Sequence, residues 1–434
     1  MTGVRRDIVI FAAGSRGDVQ PCVALGRGLA ERGHGVRLIV AAGHEPLAAG
    51  LDTSVLSVDP ARLLETDEVR EWLRNGRNPL GFVAGFRRVI RPMAEMLLGE
   101  ILAGCKDADL LIFPTLGFVG HHLAEYLGID DALIHFQPSQ PTSAFPHPLV
   151  SRAYGANRLS YHLVEQLAWQ LSRPFLNTWR RDTLALPKLP LGGPIRTVRD
   201  VPVLACFSEA VVPRPPDWPS HVHVTGYWFL DEPSWTPGPR LADFLAAGPP
   251  PVYVGFGSMT PPHPEAMAAT VRAALRAAGV RGILAFGDDG AGDDDVLVVG
   301  DVPHSWLFPR MLAAVHHGGA GTTAAALRAG IPAVVCPFFG DQTFWGGRVA
   351  ALGAGPAPLP IRRLAPEPLT ARITAAVGDE RMRRRAADLG RRIAAEDGVA
   401  RACAALENAH GAGAARRVGD GLGAAGNHGN GDDR

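Results

Sequence analysis

The sequence predicts an α/β protein built from two doubly wound domains that face one another across a central cleft, and three observations carry that prediction. The chain has 434 residues, long for one hydrophobic core and comfortable for two. In both halves, short apolar runs bounded by turn residues alternate with longer stretches of helical spacing, the pattern of β-α-β units and parallel sheets. Between the two series lies "FLDEPSWTPGPRLADF" (229–244), rich in proline and turn residues, which reads as a linker.

Taken in order, "DIVIFAA", "GVRLIVAA", "ADLLIFPT" and "DALIHFQP" are buried strands of the first domain, and "QPCVALGRGLAERG" is the helix joining the first two. Residues 151–186 follow with many large apolar positions at helical spacing, a cap or cleft wall. After the linker come "PPVYVGFGSM", "VRGILAFG", "DVLVVG", "MLAAVHHG" and "IPAVVCPF", each separated by a helical or turn-like stretch. The expected division is a first domain over 1–230, a linker over 231–240, a second domain over 241–410 and a disordered, glycine-rich tail over 411–434.

Composition narrows the function classes. With 43 basic and 43 acidic residues there is no global field to attract nucleic acid or an anionic membrane, so any anion must be gripped locally. No apolar run is long enough for stable membrane insertion. The five cysteines (Cys22, Cys105, Cys206, Cys336, Cys403) are widely spaced and odd in number, which fits neither a disulfide framework nor a structural zinc site. A reducing, cytoplasmic setting is expected. The basic and apolar start "VRRDIVIFAAG" is too short for a secretory signal and is followed by "GSRGD" instead of a cleavage site.

Chemistry concentrates at strand-to-helix turns. In "VHHGGAGTTAAALRAGIPAVVCPFFGDQ" (315–342), Gly318, Gly319 and Gly321 join a strand to a helix at the carboxyl edge of the sheet, where ligands bind. Their backbone N–H groups and the helix start suit a diphosphate, with His316 as a side-chain donor; a tight turn capped by histidines is the plainer reading. Asp341 and Gln342 open the next helix on the same edge and suit a polyhydroxylated ligand, unless Asp341 is only a helix cap. The loop "GFGSM" offers Ser258 beside Gly257. In the first domain "AAGSRGDVQP" lacks the G-x-G-x-x-G spacing of a dinucleotide site, and an aspartate there would repel a pyrophosphate. Asp18 fits a general base, against a capping role. The acidic run "GDDGAGDDD" (287–295) reads as a solvated loop, with no metal site expected.

With these residues in view, "GSRGDVQP", "GFGSM", "DVPHSWLFPR" and the 315–342 stretch resemble the inverting glycosyltransferases of the GT-B fold, the UDP-glycosyltransferase superfamily, nearest the sterol glucosyltransferase-like and bacterial antibiotic branch. The resemblance is specific over 300–353, good over 8–46 and faint from about 50 to 245. It implies a GT-B architecture of two Rossmann-like domains. His316 and the turn Gly318, Gly319, Ala320, Gly321 and Thr322, helped by Ser258, would hold the donor diphosphate. Asp341 and Gln342 would bind sugar hydroxyls, and Val302 lies in the loop that presents backbone groups to the base. Asp18 falls where the antibiotic branch has a candidate base. His317 is taken as packing. Plant members carry a base-stacking tryptophan where this chain has Asp301, and an acidic ribose contact where it has Ala324, so uridine and thymidine donors both stay open.

The implied reaction is metal-independent and needs no cofactor beyond the nucleotide-sugar co-substrate. It moves a sugar from a UDP- or dTDP-sugar to the hydroxyl of a hydrophobic small molecule such as a natural product, sterol-like compound or phenol. Phe145 in "TSAFPHP" together with Trp169 and Phe175 are the expected acceptor contacts, with a helical core as the competing account of the two latter. A nucleotide-sugar epimerase or a non-catalytic nucleotide-binding partner protein on the same fold are the alternatives.

Overall fold

The computed structural model describes residues 4–57, 91–114, 118–150, 155–193, 201–257, 264–287 and 292–409. Ser258, residues 288–291 of the acidic run and the tail beyond 409 lie outside them.

The first body is a seven-stranded parallel sheet of order β3-β2-β1-β4-β5-β6-β7. Its strands are β1 (Asp7–Ala12), β2 (Gly35–Ala41), β3 (Asp52–Leu56), β4 (Leu110–Pro114), β5 (Asp130–His135), β6 (Val203–Ala205) and β7 (Val222–Val224). Helix α1 (Arg16–Glu31) crosses from β1 to β2, α2 (Arg91–Gly104) precedes β4, α3 (Phe118–Leu127) joins β4 to β5, and α4 (Asn157–Asp182) follows β5. The expected strands are all present. Three more were not foreseen: β3 has a half-exposed pattern without a long apolar run, and β6 and β7 are three residues each.

The second body is a five-stranded parallel sheet of order β10-β9-β8-β11-β12. It comprises β8 (Val252–Gly255), β9 (Gly282–Leu284), β10 (Val296–Val298), β11 (Ala313–His316) and β12 (Ala333–Val335). The helices are α5 (Pro239–Ala246), α6 (Pro264–Ala277), the single turn α7 (His304–Leu307), α8 (Ala320–Arg328), α9 (Gln342–Ala351), α10 (Pro366–Gly378) and α11 (Glu380–Ala394). Both sheets are covered on two faces, as parallel sheets require, and their central strands are almost wholly apolar.

The last helix, α12 (398–409), departs from the expected boundary at 410. It leaves the second body and lies on α1: Ala402, Cys403 and Leu406 are buried with Val19, Cys22 and Leu25. Arg32 pairs with Glu407 at 3.0 Å, and a Cβ on Gly28 would come within 2.4 Å of Val399, so glycine is what lets the two helices touch.

Candidate active site at the interdomain cleft

In each sheet the strand order reverses at the strand that starts the domain, β1 or β8, and the crevice beyond the carboxyl ends there is the expected ligand position. Parallel pairing sets Gly255, His316 and Val335 side by side at that edge of the second body. The three loops that follow therefore leave from one line. Across from them, β1 delivers Gly14 to Asp18 from the first body.

The two bodies meet head to head. The starts of α1 and α8 abut so closely that a Cβ on Gly321 would stand 3.9 Å from the Gly17 backbone. Two helix N-termini aimed at each other make a field that favours an anion between them.

Asp18 occupies the third position of α1. The backbone N–H and the hydroxyl of Ser15 both donate to its Oδ2, at 2.9 and 2.8 Å. Asp18 thus does cap the helix, but with one oxygen, and Oδ1 takes no part in either bond. Burial pushes its carboxyl above the usual range, against the opposing pull of the Ser15 bonds and of nearby His44. Asp341, across the cleft, is pushed up too, by burial first and by the charge of Asp18.

Asp341 stands at the N-cap position of α9 but makes no capping bond; the indole N–H of Trp345 donates to its Oδ2 at 2.8 Å. Gln342 is buried, and its Oε1 accepts from the backbone N–H groups of Phe338 (2.8 Å) and Phe339 (3.3 Å). That oxygen shapes the loop and is not free for a sugar, so a ligand would meet the amide nitrogen instead.

The two histidines are held in different ways. His316 is the last residue of β11, 0% exposed, and its Nδ1 accepts from the Gly318 N–H at 3.0 Å. Burial, with His317 and His304 nearby, holds it neutral. It braces the turn from inside the fold. His317 points the other way, lodged between the two glycine loops: a Cβ on Gly319 would lie 2.5 Å from its Nε2, and one on Gly257 would lie 3.1 Å from its Cε1. Its Nδ1 is without a hydrogen-bond partner, and burial lowers its pKa to about 4, so it is a neutral ring at physiological pH.

Sequence reasoning passed over two further residues. His304, on the "DVPHSW" stretch, stacks on Phe308 at 4.3 Å and shares a hydrogen bond with the Tyr253 hydroxyl at 3.2 Å. Burial, then Arg16, bring it to about 4. Arg16, in "GSRGD", reaches over the cleft and pairs with Asp301 and, at 3.5 Å, with Glu232. Both motifs were visible, but neither showed which residue would cross between bodies. Val302 follows Asp301 in the loop after β10 and is half-buried, and Ala324 is buried on α8.

Trp169 and Phe175 do not line the cleft. They are 1% and 9% exposed within the main core, and the Trp169 indole N–H donates to the carbonyls of Pro190 and Leu191. This burial fits the helical-core account of them: α4 buries its heavy face against α2 and the 186–193 segment. Phe145 is placed otherwise. It lies half-buried at the seam between the bodies, 5.7 Å from Phe344 of α9 and 6.5 Å from Trp218. Asp293 accepts from the N–H groups of Asp295 and Val296 and pairs with Arg272, which is turn chemistry.

Comparison with known proteins bears on what this cleft does. Residues 8–129 match the glycosyltransferase family 28 N-terminal domain, and residues 288–407 match the erythromycin biosynthesis protein CIII-like C-terminal domain. The chain is 38% identical over 413 residues to O-mycaminosyltylonolide 6-deoxyallosyltransferase of Streptomyces fradiae, covering 92% of this chain and 96% of that one. It is also 38% identical over 422 residues to sterol 3-beta-glucosyltransferase of Neosartorya fischeri, covering 92% of this chain but only 29% of that longer protein. Among solved structures, the glycotransferase of kitacinnamycin superposes with a TM-score of 0.67 at 20% identity, covering 94% of this chain and 99% of that one. Glycosyltransferase SsfS6 of Streptomyces sp. SF2575, complexed with thymidine diphosphate, superposes at 0.60 and 22% identity, covering 93% and 100%.

Proposed function

Because the chain belongs to the UDP-glycosyltransferase superfamily and has its GT-B fold, we propose that it transfers a sugar from a nucleotide diphosphate to a hydroxyl of a hydrophobic small molecule, with inversion. One observation carries the mechanism: Asp18 stands in the first turn of α1, whose start abuts the glycine turn at the start of α8 across the cleft.

The Asp18 Oδ1 takes the proton of the acceptor hydroxyl, whose oxygen attacks the anomeric carbon as the bond to the diphosphate breaks. General bases of this kind contribute roughly a hundredfold to ten-thousandfold. The helix start of α8, the turn amides and His317 receive the charge growing on the diphosphate; preorganised donors of this sort supply electrostatic stabilisation without a metal. His317 shares this role with His316, whose Nδ1 holds the turn while its buried Nε2 has no hydrogen-bond partner. Asp341 and the Gln342 amide nitrogen address sugar hydroxyls. Phe145 borders the acceptor.

The donor is a UDP- or dTDP-sugar. The buried Ala324 offers no polar group to a ribose hydroxyl, which favours the deoxyribose of a thymidine nucleotide; the SsfS6 structure is a complex with thymidine diphosphate. The acceptor is a hydrophobic hydroxylated compound, in line with the tylonolide and sterol in the relatives' names. Mass spectrometry of products after incubation with mixed UDP- and dTDP-sugars and a panel of hydrophobic alcohols and phenols tests the reading. A glycosylated alcohol or phenol is expected. Donor epimerisation or no turnover with any pair would overturn it.

A further inference from the structure

Arg16 is a cation that the first body extends across the cleft. Its guanidinium pairs with Asp301 on the loop after β10 and with Glu232 at 3.5 Å on the linker. The neighbouring residue, Gly17, is the one that abuts Gly321, and the same guanidinium acts on His304, which in turn feels His317. Arg16 therefore sits beside the glycine turn while bound to two carboxylates. The Arg16 side chain is 36% exposed and Asp301 74% exposed, so water screens the pair and it holds weakly. A diphosphate offers the same fork of acceptor oxygens with more charge.

Resting on the donor site argued above, we infer that Arg16 is a donor-binding residue for which Asp301 and Glu232 compete with the donor diphosphate. Asp301 is then a competitor of the donor. The two ends of one ion pair should act on affinity with opposite sign, which a merely structural bridge would not do.

Calorimetric titration with UDP and with dTDP tests this on wild type, Arg16→Met, Asp301→Asn, the double variant and His317→Ala. Arg16→Met should raise Kd about tenfold, as loss of a charge-assisted hydrogen bond does. Asp301→Asn should lower Kd by about two- to fivefold, the scale of an exposed ion pair. In the double variant that gain should vanish, since it acts through Arg16. Unchanged affinity in Arg16→Met overturns the inference, and so does a gain from Asp301→Asn that persists without Arg16. If His317→Ala also binds both nucleotides as wild type does, the donor site itself is misplaced. If His317→Ala weakens binding and Arg16→Met does not, only the inference fails. The Arg16 and Asp301 variants should keep their melting temperatures, because that pair lies at the surface.

Discussion

Burying the Asp18 carboxyl at the head of α1 raises its proton affinity, and the sign of the consequence can be worked out. A carboxyl whose folded pKa exceeds its unfolded value gives stability that is complete below the unfolded value, about 3.9, and is lost as pH rises through the folded one. Asn imitates the protonated form. Asp18→Asn should therefore melt no earlier than wild type at neutral pH, while transfer falls roughly a hundredfold to ten-thousandfold and donor affinity stays near wild type. Scanning calorimetry at pH 4 and pH 8, with single-turnover assays, checks both halves; an early-melting variant would make Asp18 a structural cap. In wild type, the acid limb of kcat/KM should lie above that of an ordinary aspartate. Residue chemistry at this site was only partly legible. The pair His316 and His317 was plain in the sequence, but a strand's alternation decides which ring faces the cleft, and that depends on where β11 ends. His316 is its last residue, so the ring turned inward is one position earlier than the ring that meets the glycines.

At the scale of elements, long runs announced themselves and short ones did not. The core strands β1, β2, β4 and β5 read directly from buried apolar runs. β6 and β7 could not, because three residues carry no periodicity and their stability comes from neighbours in the sheet. Helix α4 was legible as a helix, yet its spacing of aromatics fits a pocket and a core equally. Burial decides for the core. Trp169→Ala and Phe175→Ala should each cost about 3–5 kcal/mol, typical of aromatic truncation in a packed interior. Thermal melts should drop accordingly, with the acceptor profile of the folded fraction unchanged. A shifted acceptor profile at wild-type melting temperature would return these residues to the pocket. Phe145→Ala should do the reverse, moving acceptor KM with little change in melting.

For the whole molecule, two alternating series either side of a proline-rich stretch were enough to anticipate two parallel-sheet bodies and a cleft. What they could not convey was the return of α12. Val399, Ala402, Cys403 and Leu406 follow helical spacing, and any apolar face would have suited them; that they choose α1 depends on Gly28 and Arg32, distant in sequence. The outgoing and returning chain also run side by side, since a Cβ on Gly398 would strike the Tyr227 carbonyl at 2.3 Å. For anyone recombining such proteins, this means that the modules of the gene and the modules of the molecule are cut in different places. A hybrid that imports a relative's residues 241–409 as one cassette carries a foreign α12 onto a native α1, whereas one that imports 241–396 keeps the matched pair. The shorter cassette should give the higher melting temperature and yield of soluble protein, measured side by side with the same relative. The last dozen described residues travel, in effect, with the beginning of the chain.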